Sequence, residues 1–260
     1  EQLEEHLADL LRDIKRPNGE AVRIARIDAD STKLKGALQQ QLAQVHAGEV
    51  DVLVGTQMIA KGHDFRNITL VAAVNPDTAL FSSDFRAPER LFALLMQAAG
   101  RAGCDAAQGG QSEMWIQTQH PQHPLYIALK KHDYAGFAKT QLKDREAAMM
   151  SPFGYSALVR AEARTQEVAQ AFLNTARETI LAQAKSDNGS QNDMLQLVSV
   201  YGAVPMSMQR IANVERAQML IESSSRKALQ QFLQQWQTVL HNTPAKGIIR
   251  WAVDVDPLVI

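Results

Sequence analysis

The sequence predicts an α/β protein in two successive parts. Residues 1–150 read as an open layer of parallel strands and helices, and residues 151–260 as a smaller α+β part in the order β-α-β-β-α-β, a ferredoxin-like split βαβ. Three observations carry this expectation. Short, nearly all-apolar, β-branched runs alternate with helical patterns before residue 150, as strands buried on both faces of a parallel sheet do. After the break at Ser151-Pro152-Phe153-Gly154, strand runs fall between two long helical stretches. A chain of 260 residues also has room for one to two domains and at least one sizeable core.

The elements follow in order. Leu3, Leu7, Leu10, Leu11 and Ile14 recur at spacings of three and four, one apolar stripe of a helix that Pro17-Asn18-Gly19 stops. Val22, Ile24 and Ile27 mark a strand, and Leu34, Leu38, Leu42 and Val45 a helix that Gly48 ends. Asp51 to Val54 and Ile68 to Val74 are strands, Pro88 to Ala99 a helix and Glu113 to Thr118 a further strand. Pro124 to Met150 reads as helical throughout. Beyond the break come a strand (157–163), a helix (168–184), a polar loop (186–193), strands at 195–201 and 217–222, a helix (226–240) and a last strand (248–253).

Composition narrows the function classes. Lys and Arg total 27 against 28 for Asp and Glu, a net charge of −1, so any nucleic-acid contact rests on a local patch. The first part carries 17 basic and 19 acidic residues and the second 10 and 9, which leaves neither with an overt electrostatic footprint. A single cysteine, Cys104, excludes an internal disulfide and a cysteine-built zinc site, and suits a reducing compartment. No apolar run approaches the roughly 18 residues of a membrane span, and Glu1, Glu4, Glu5 and Asp9 are the opposite of a basic signal peptide. The expectation is a cytoplasmic protein with no membrane partner.

Two stretches can carry chemistry. Gly55 to Phe65 directly follows a strand, where a glycine-started loop turns backbone N–H groups toward an anion and Thr56 and Lys61 add donors. A tight strand-to-helix turn with a solvated Lys61 and a capping Asp64 is the other reading, and a Walker phosphate loop is excluded by spacing. Gln97 to Gly103 sets Arg101 between Gly100 and Gly103, a presentation suited to a guanidinium that reaches phosphate oxygens. A helix C-cap with a solvated arginine is its alternative. In the second part, Arg226 and Gln230 lie four apart on one helix face, and Arg210, Arg216, Lys227 and Arg250 are further cations that can meet an anion. An ordinary solvated face is the alternative there. Trp236 and Trp251 read as core, and neither the pair His120 and His123 nor the pair Asp254 and Asp256 reads as a metal site.

Taken together and in this order, the first two stretches resemble motifs V and VI of a superfamily 2 helicase. Leu53 to Phe65, Ala79 to Leu91, Gln97 to Gly103, His123-Pro124-Leu125-Tyr126 and Asp254-Val255-Asp256-Pro257 resemble the primosomal protein N′ (PriA) family of replication-restart helicases, across essentially the whole chain. The resemblance implies a RecA-like helicase lobe two followed by a C-terminal DNA- and partner-binding domain. It further implies a bacterial 3′-to-5′ DNA helicase that uses ATP and Mg²⁺, held mainly by a lobe one that this chain does not contain. A zinc module is implied for the parent protein but not for this fragment.

Residue by residue, Gly55, Thr56, Gln57 and Lys61 match motif V positions implied to touch DNA, with Gly62 and Asp64 at the nucleotide. Gln97, Gly100 and Arg101 match motif VI, where the arginine is implied to face the γ-phosphate. The family pattern continues with a second arginine where this chain reads Gly103-Cys104, and a cysteine cannot donate bidentate hydrogen bonds to a developing phosphoryl charge. The implied partners are forked and single-stranded DNA, other primosome proteins and the C-terminal tail of the single-strand-binding protein, the last at Arg226 and Gln230. Lacking lobe one, the fragment alone is expected to be inactive as an ATPase; a weakly hydrolysing scaffold for primosome assembly is the alternative.

Overall fold

The computed structural model describes residues 2–27, 37–56, 68–82, 84–100, 113–186 and 196–258. They form two compact units, Glu1–Phe137 and Ala138–Ile260.

Unit one runs α1 (Gln2–Leu10), β1 (Ile24–Ile27), α2 (Ala37–His46), β2 (Val52–Gly55), β3 (Leu70–Val74), α3 (Asp77–Leu80), α4 (Ala87–Ala99), β4 (Glu113–Gln117) and α5 (Pro124–Lys130). The parallel pairing expected of an α/β layer is present, β1 with β2 and β3 with β4. Among the described residues these are separate two-stranded sheets. Each has its own core: Ile27 and Leu42 close over β1 and β2, whereas Leu80, Leu91, Phe92, Leu95, Leu125, Tyr126, Leu129 and Phe137 close over one face of β3 and β4. Phe92 and Phe137 stack with ring centroids 4.5 Å apart.

Three expectations need correction here. β3 is not buried on both faces; burial alternates along it and along its partner β4, with Ala73, Met114 and Ile116 inward and Leu70, Val74 and Trp115 outward. Side chains of consecutive strand residues point to opposite faces, and the helical core packs on one of them. The first helix ends at Leu10, and its apolar stripe is not buried in this chain, since Leu3, Leu10 and Ile14 are all exposed. The helical run after Pro124 is two helices, α5 and α6 (Tyr134–Ala147), because His132 adopts a left-handed backbone with φ of 53° between them.

Unit two contains β5 (Tyr155–Ala163), α7 (Gln166–Ser186), β6 (Val198–Val200), β7 (Val204–Ile211), β8 (Val214–Ser223), α8 (Arg226–Asn242) and β9 (Ile248–Val255). The sheet order is β6-β8-β5-β9, every pairing is antiparallel, and β7 also pairs with β8. Ala157, Val159, Ala161 and Ala163 of the central strand β5 are fully buried against α7 and α8. Their small side chains let Phe172, Leu173, Leu229, Phe232 and Trp236 fill the layer between sheet and helices. Trp236 is fully buried and stacked on Phe232 at 5.6 Å, as its apolar surroundings in the sequence suggest, and Trp251 is packed at the edge of the same core.

β7 has no counterpart in the sequence reading. Its residues are exposed at all but one position, so it shows no apolar alternation. What makes it a strand is a two-residue hairpin to β8 in which Ala212 and Asn213 both take positive φ, 48° and 65°.

Candidate functional site

The first candidate residues of unit one sit where a parallel strand ends. β2 finishes at Gly55, paired with Ile27 of β1, and both Gly55 and Thr56 are exposed at that carboxyl edge. An exposed backbone and hydroxyl there can meet a phosphodiester without displacing core. Gln57, Lys61, Gly62, Asp64, Arg101 and Cys104 lie outside the described residues.

Gln97 is exposed in the last turn of α4, and Gly100 caps that helix with its N–H donating to the Met96 carbonyl at 3.0 Å. Gly100 keeps a right-handed backbone, φ −66° and ψ −11°, so the left-handed glycine cap is not what ends α4. A β-carbon at Gly100 would stand at ordinary contact distance, 3.5 Å, from the Met96 carbonyl oxygen. Among the described residues, α4 packs on the β3–β4 pair while Gly55 and Thr56 end a strand of the other pair.

A second group at the carboxyl ends of β3 and β4 escaped the sequence reading. Asp77, opening α3, accepts hydrogen bonds from the Thr118 hydroxyl (2.6 Å), the Gln119 N–H (2.8 Å) and the Tyr126 hydroxyl (2.9 Å). The Thr118 bond above all, and then the Gln119 N–H, hold the Asp77 carboxyl below the usual range for aspartate. Burial, reinforced by the Asp77 charge, pushes the Tyr126 hydroxyl up to about 12. His123 caps α5, its Nδ1 accepting from the Leu125 N–H at 3.2 Å, and the exposed Phe81 ring lies edge-on to His120 and His123. These two histidines are therefore a cap and a ring contact, and no metal-binding group of three or more ligands occurs among the described residues.

In unit two, Arg226 occupies the first turn of α8 behind the cap Ser225, whose hydroxyl accepts from the Ala228 N–H at 3.3 Å. The Arg226 guanidinium lies over the Tyr155 ring, 5.2 Å from its centroid, and donates to the Asp256 carboxylate at 2.9 Å. Gln230, one turn further on, is exposed, as is Lys227. Asp254 and Asp256 do not act together; Asp254 pairs with Arg160 at 3.3 Å.

The other arginine candidates are engaged. Arg216, Glu162 and Arg250 are directly opposed across β8, β5 and β9, and the Glu162 carboxylate takes Arg250 at 2.7 Å and Arg216 at 3.7 Å. Arg210 pairs with Glu215 at 3.6 Å and donates to Asn213 at 2.8 Å.

Comparison with known proteins assigns both units. Residues 2–105 match the helicase conserved C-terminal domain, and residues 146–258 match the primosomal protein N C-terminal domain. The chain is 39% identical over 257 residues to replication restart protein PriA of Haemophilus influenzae, an alignment covering 99% of this chain and 32% of that protein. It is 37% identical to the PriA of Synechocystis sp. over 204 residues (78% of this chain, 23% of that protein), and 34% identical to that of Treponema pallidum over 236 residues (91% and 33%). It thus spans about a third or less of the length of the curated relatives it matches. With two successive domain matches and these alignments, the chain belongs to the PriA family of replication restart proteins.

Proposed function

We propose that this chain is the RecA-like lobe two (residues 1–150) and the C-terminal DNA- and partner-binding domain (151–260) of a superfamily 2, ATP-dependent 3′-to-5′ DNA helicase that restarts stalled replication forks in the bacterial cytoplasm. The observation that carries it is the placement of the motif V start, Gly55 and Thr56, exposed at the carboxyl edge of a parallel strand in a domain matching the helicase C-terminal model. In the second domain, the antiparallel order β6-β8-β5-β9 with α7 and α8 sharing one core supports a ferredoxin-like split βαβ.

Gly55, Thr56, Gln57 and Lys61 hold the DNA backbone, Gly62 and Asp64 the nucleotide, and Gln97, Gly100 and Arg101 face its terminal phosphate. The exposed Gly55, Thr56 and Gln97 suit those contacts. ATP with Mg²⁺, bound mainly against lobe one, supplies the phosphoryl-transfer energy. Zinc does not fit this chain, whose one cysteine cannot build the site. Forked and single-stranded DNA and other primosome proteins are the partners, and Arg226 with Gln230 receives the C-terminal tail of the single-strand-binding protein.

The test uses the full-length protein. Arg101→Ala should lower DNA-stimulated ATP turnover by about 10³-fold or more, with fork binding retained. The 260-residue chain alone should hydrolyse no ATP, and turnover by it would overturn the division of labour between lobes. Cys104, in place of the second motif VI arginine, favours a second reading, a weakly hydrolysing scaffold that mainly holds fork DNA and partners. Cys104→Arg raises turnover if that reading holds and leaves it unchanged if Arg101 suffices.

A further inference from the structure

Three separated stretches of unit two converge on Arg226. Tyr155 opens β5, the Ser223-Ser224-Ser225 turn leads from β8 into α8, and Asp256 follows the end of β9. Resting on the reading of Arg226 and Gln230 as the receptor of a carboxylate-terminated peptide, we propose that Asp256 is an internal stand-in for that peptide: its carboxylate occupies Arg226 in the free protein and is displaced when the peptide's terminal carboxylate arrives.

The geometry gives Asp256 the properties of a displaceable occupant. Its backbone is fixed, because its N–H donates to the Ser156 carbonyl at 2.9 Å and its φ of 52° is a left-handed conformation that Asp and Asn tolerate better than most residues. Its side chain is not fixed in the same way. The contact to Arg226 is a single Nη2–Oδ2 hydrogen bond of 2.9 Å rather than a two-toothed fork, between side chains that are 65% and 37% exposed. Solvent-exposed pairs of this kind are weak. A carboxylate free of the sheet can align with both guanidinium nitrogens, the stronger arrangement.

The guanidinium itself stays in place during the exchange, held over the Tyr155 ring. Arg226 lies in the first turn of a 17-residue helix, where either carboxylate gains from the positive end of the helix dipole. Asp256 thus sets the threshold for occupancy. A ligand displaces it only by offering Arg226 a carboxylate better aligned than the one the fold provides, which disfavours isolated weak anions and selects a chain terminus whose neighbours reach Gln230 and Lys227.

The test is a fluorescence anisotropy titration of the 260-residue chain with a short acidic-apolar peptide ending in a free carboxylate, and with the same peptide amidated. Asp256→Asn keeps a residue suited to the left-handed backbone and removes the charge; it should bind the free-acid peptide roughly two- to fivefold more tightly than wild type, with a smaller change for the amide. Asp256→Glu should return the affinity toward wild type, and thermal melting verifies that both variants fold. Unchanged or weaker binding by Asp256→Asn, with binding lost in Arg226→Ala, overturns the stand-in while leaving the peptide site standing. Wild-type affinity in Arg226→Ala, or no binding by any form, overturns the peptide site and the stand-in with it.

Discussion

The two units bury their apolar side chains differently. In unit two one continuous cluster runs from the fully buried face of β5 through α7 and α8, with Trp236 and Phe232 at its centre. In unit one the described residues divide between a small cluster under β1 and β2 and a larger one under β3 and β4, and the last residues of β2, β3 and β4 are exposed. The difference teaches where each unit keeps its chemistry. Among the described residues, unit one presents its candidate groups at ends of elements, Gly55 and Thr56 at a strand end and Gln97 and Gly100 at the end of α4, whereas unit two holds Arg226 and Gln230 on a helix that packs on its core.

The largest effect should come from the centre of unit two. Trp236→Ala removes a fully buried indole and should cost about 3–5 kcal/mol, read by urea unfolding together with hydrogen exchange at the β5 amides. Hydrogen exchange in α4 of unit one should be unaffected. A loss below about 1 kcal/mol, the scale of an average substitution, would break the contrast, because the unit-two core would then not be a single cooperative layer. Trp236→Phe should cost less than Trp236→Ala, because phenylalanine keeps a ring in the buried site, while the Nε1 that both variants remove has no acceptor among the described residues.

The same contrast decides what the sequence makes legible. β5, α7, α8 and β9 are readable because their apolar spacing is the spacing of one shared core, and Ser225 announces the start of α8 as a capping residue. β7 is invisible because its pairing partner, rather than its burial, makes it a strand, and its hairpin uses Ala212-Asn213 in place of the usual glycine-bearing pair. The strand end at Gly55 is legible because a glycine closing an apolar run is a local signal. The Asp77 group is not, since Thr118 and Tyr126 stand 41 and 49 residues away in sequence. The Arg216–Glu162–Arg250 row emerges only from the strand register. Arg216 and Arg250 look like free cations in the sequence, whereas in the fold they share one carboxylate.

A middle-sized effect should sharpen the claim that unit one is organised by its strand-end contacts. Asp77→Ala strands the Thr118 hydroxyl, the Gln119 N–H and the Tyr126 hydroxyl together, and should lower the melting temperature of unit one by less than Trp236→Ala lowers that of unit two. Two pH signatures accompany it. Asp77 has its folded pKa depressed, so its contribution is present above the ordinary value of 3.8 and is lost as pH falls through the folded value. Tyr126 has its folded pKa raised from 10.0 to about 12, so its contribution is present below pH 10.0 and is lost as pH rises toward 12. Tyrosinate absorbance should show two late-titrating tyrosines in the wild type, Tyr126 and the Glu222-bonded Tyr201, of which Tyr126 moves to lower pH in Asp77→Ala.

The smallest effect, and the most local, belongs to His123. Its Nδ1 accepts the Leu125 N–H, so the cap of α5 requires that nitrogen to be unprotonated. Burial, and then the neighbouring His120 charge, depress the His123 pKa below 6.5, while the Asp77 charge pulls the other way; Phe81 and Tyr126 present only their rings. Between the unfolded value and the depressed folded value the unfolded chain binds the extra proton, so stability rises with pH across that interval. The contribution is complete above 6.5 and is lost as pH falls through the folded value. A histidine-detected NMR titration should find His123 changing charge below the ordinary 6.5, and His123→Asn should keep α5 capped while flattening this part of the pH–stability curve. An ordinary titration near 6.5 would mean that α5 is capped by its packing on the β3–β4 core and not by His123, which would bring unit one closer to the core-fixed organisation of unit two.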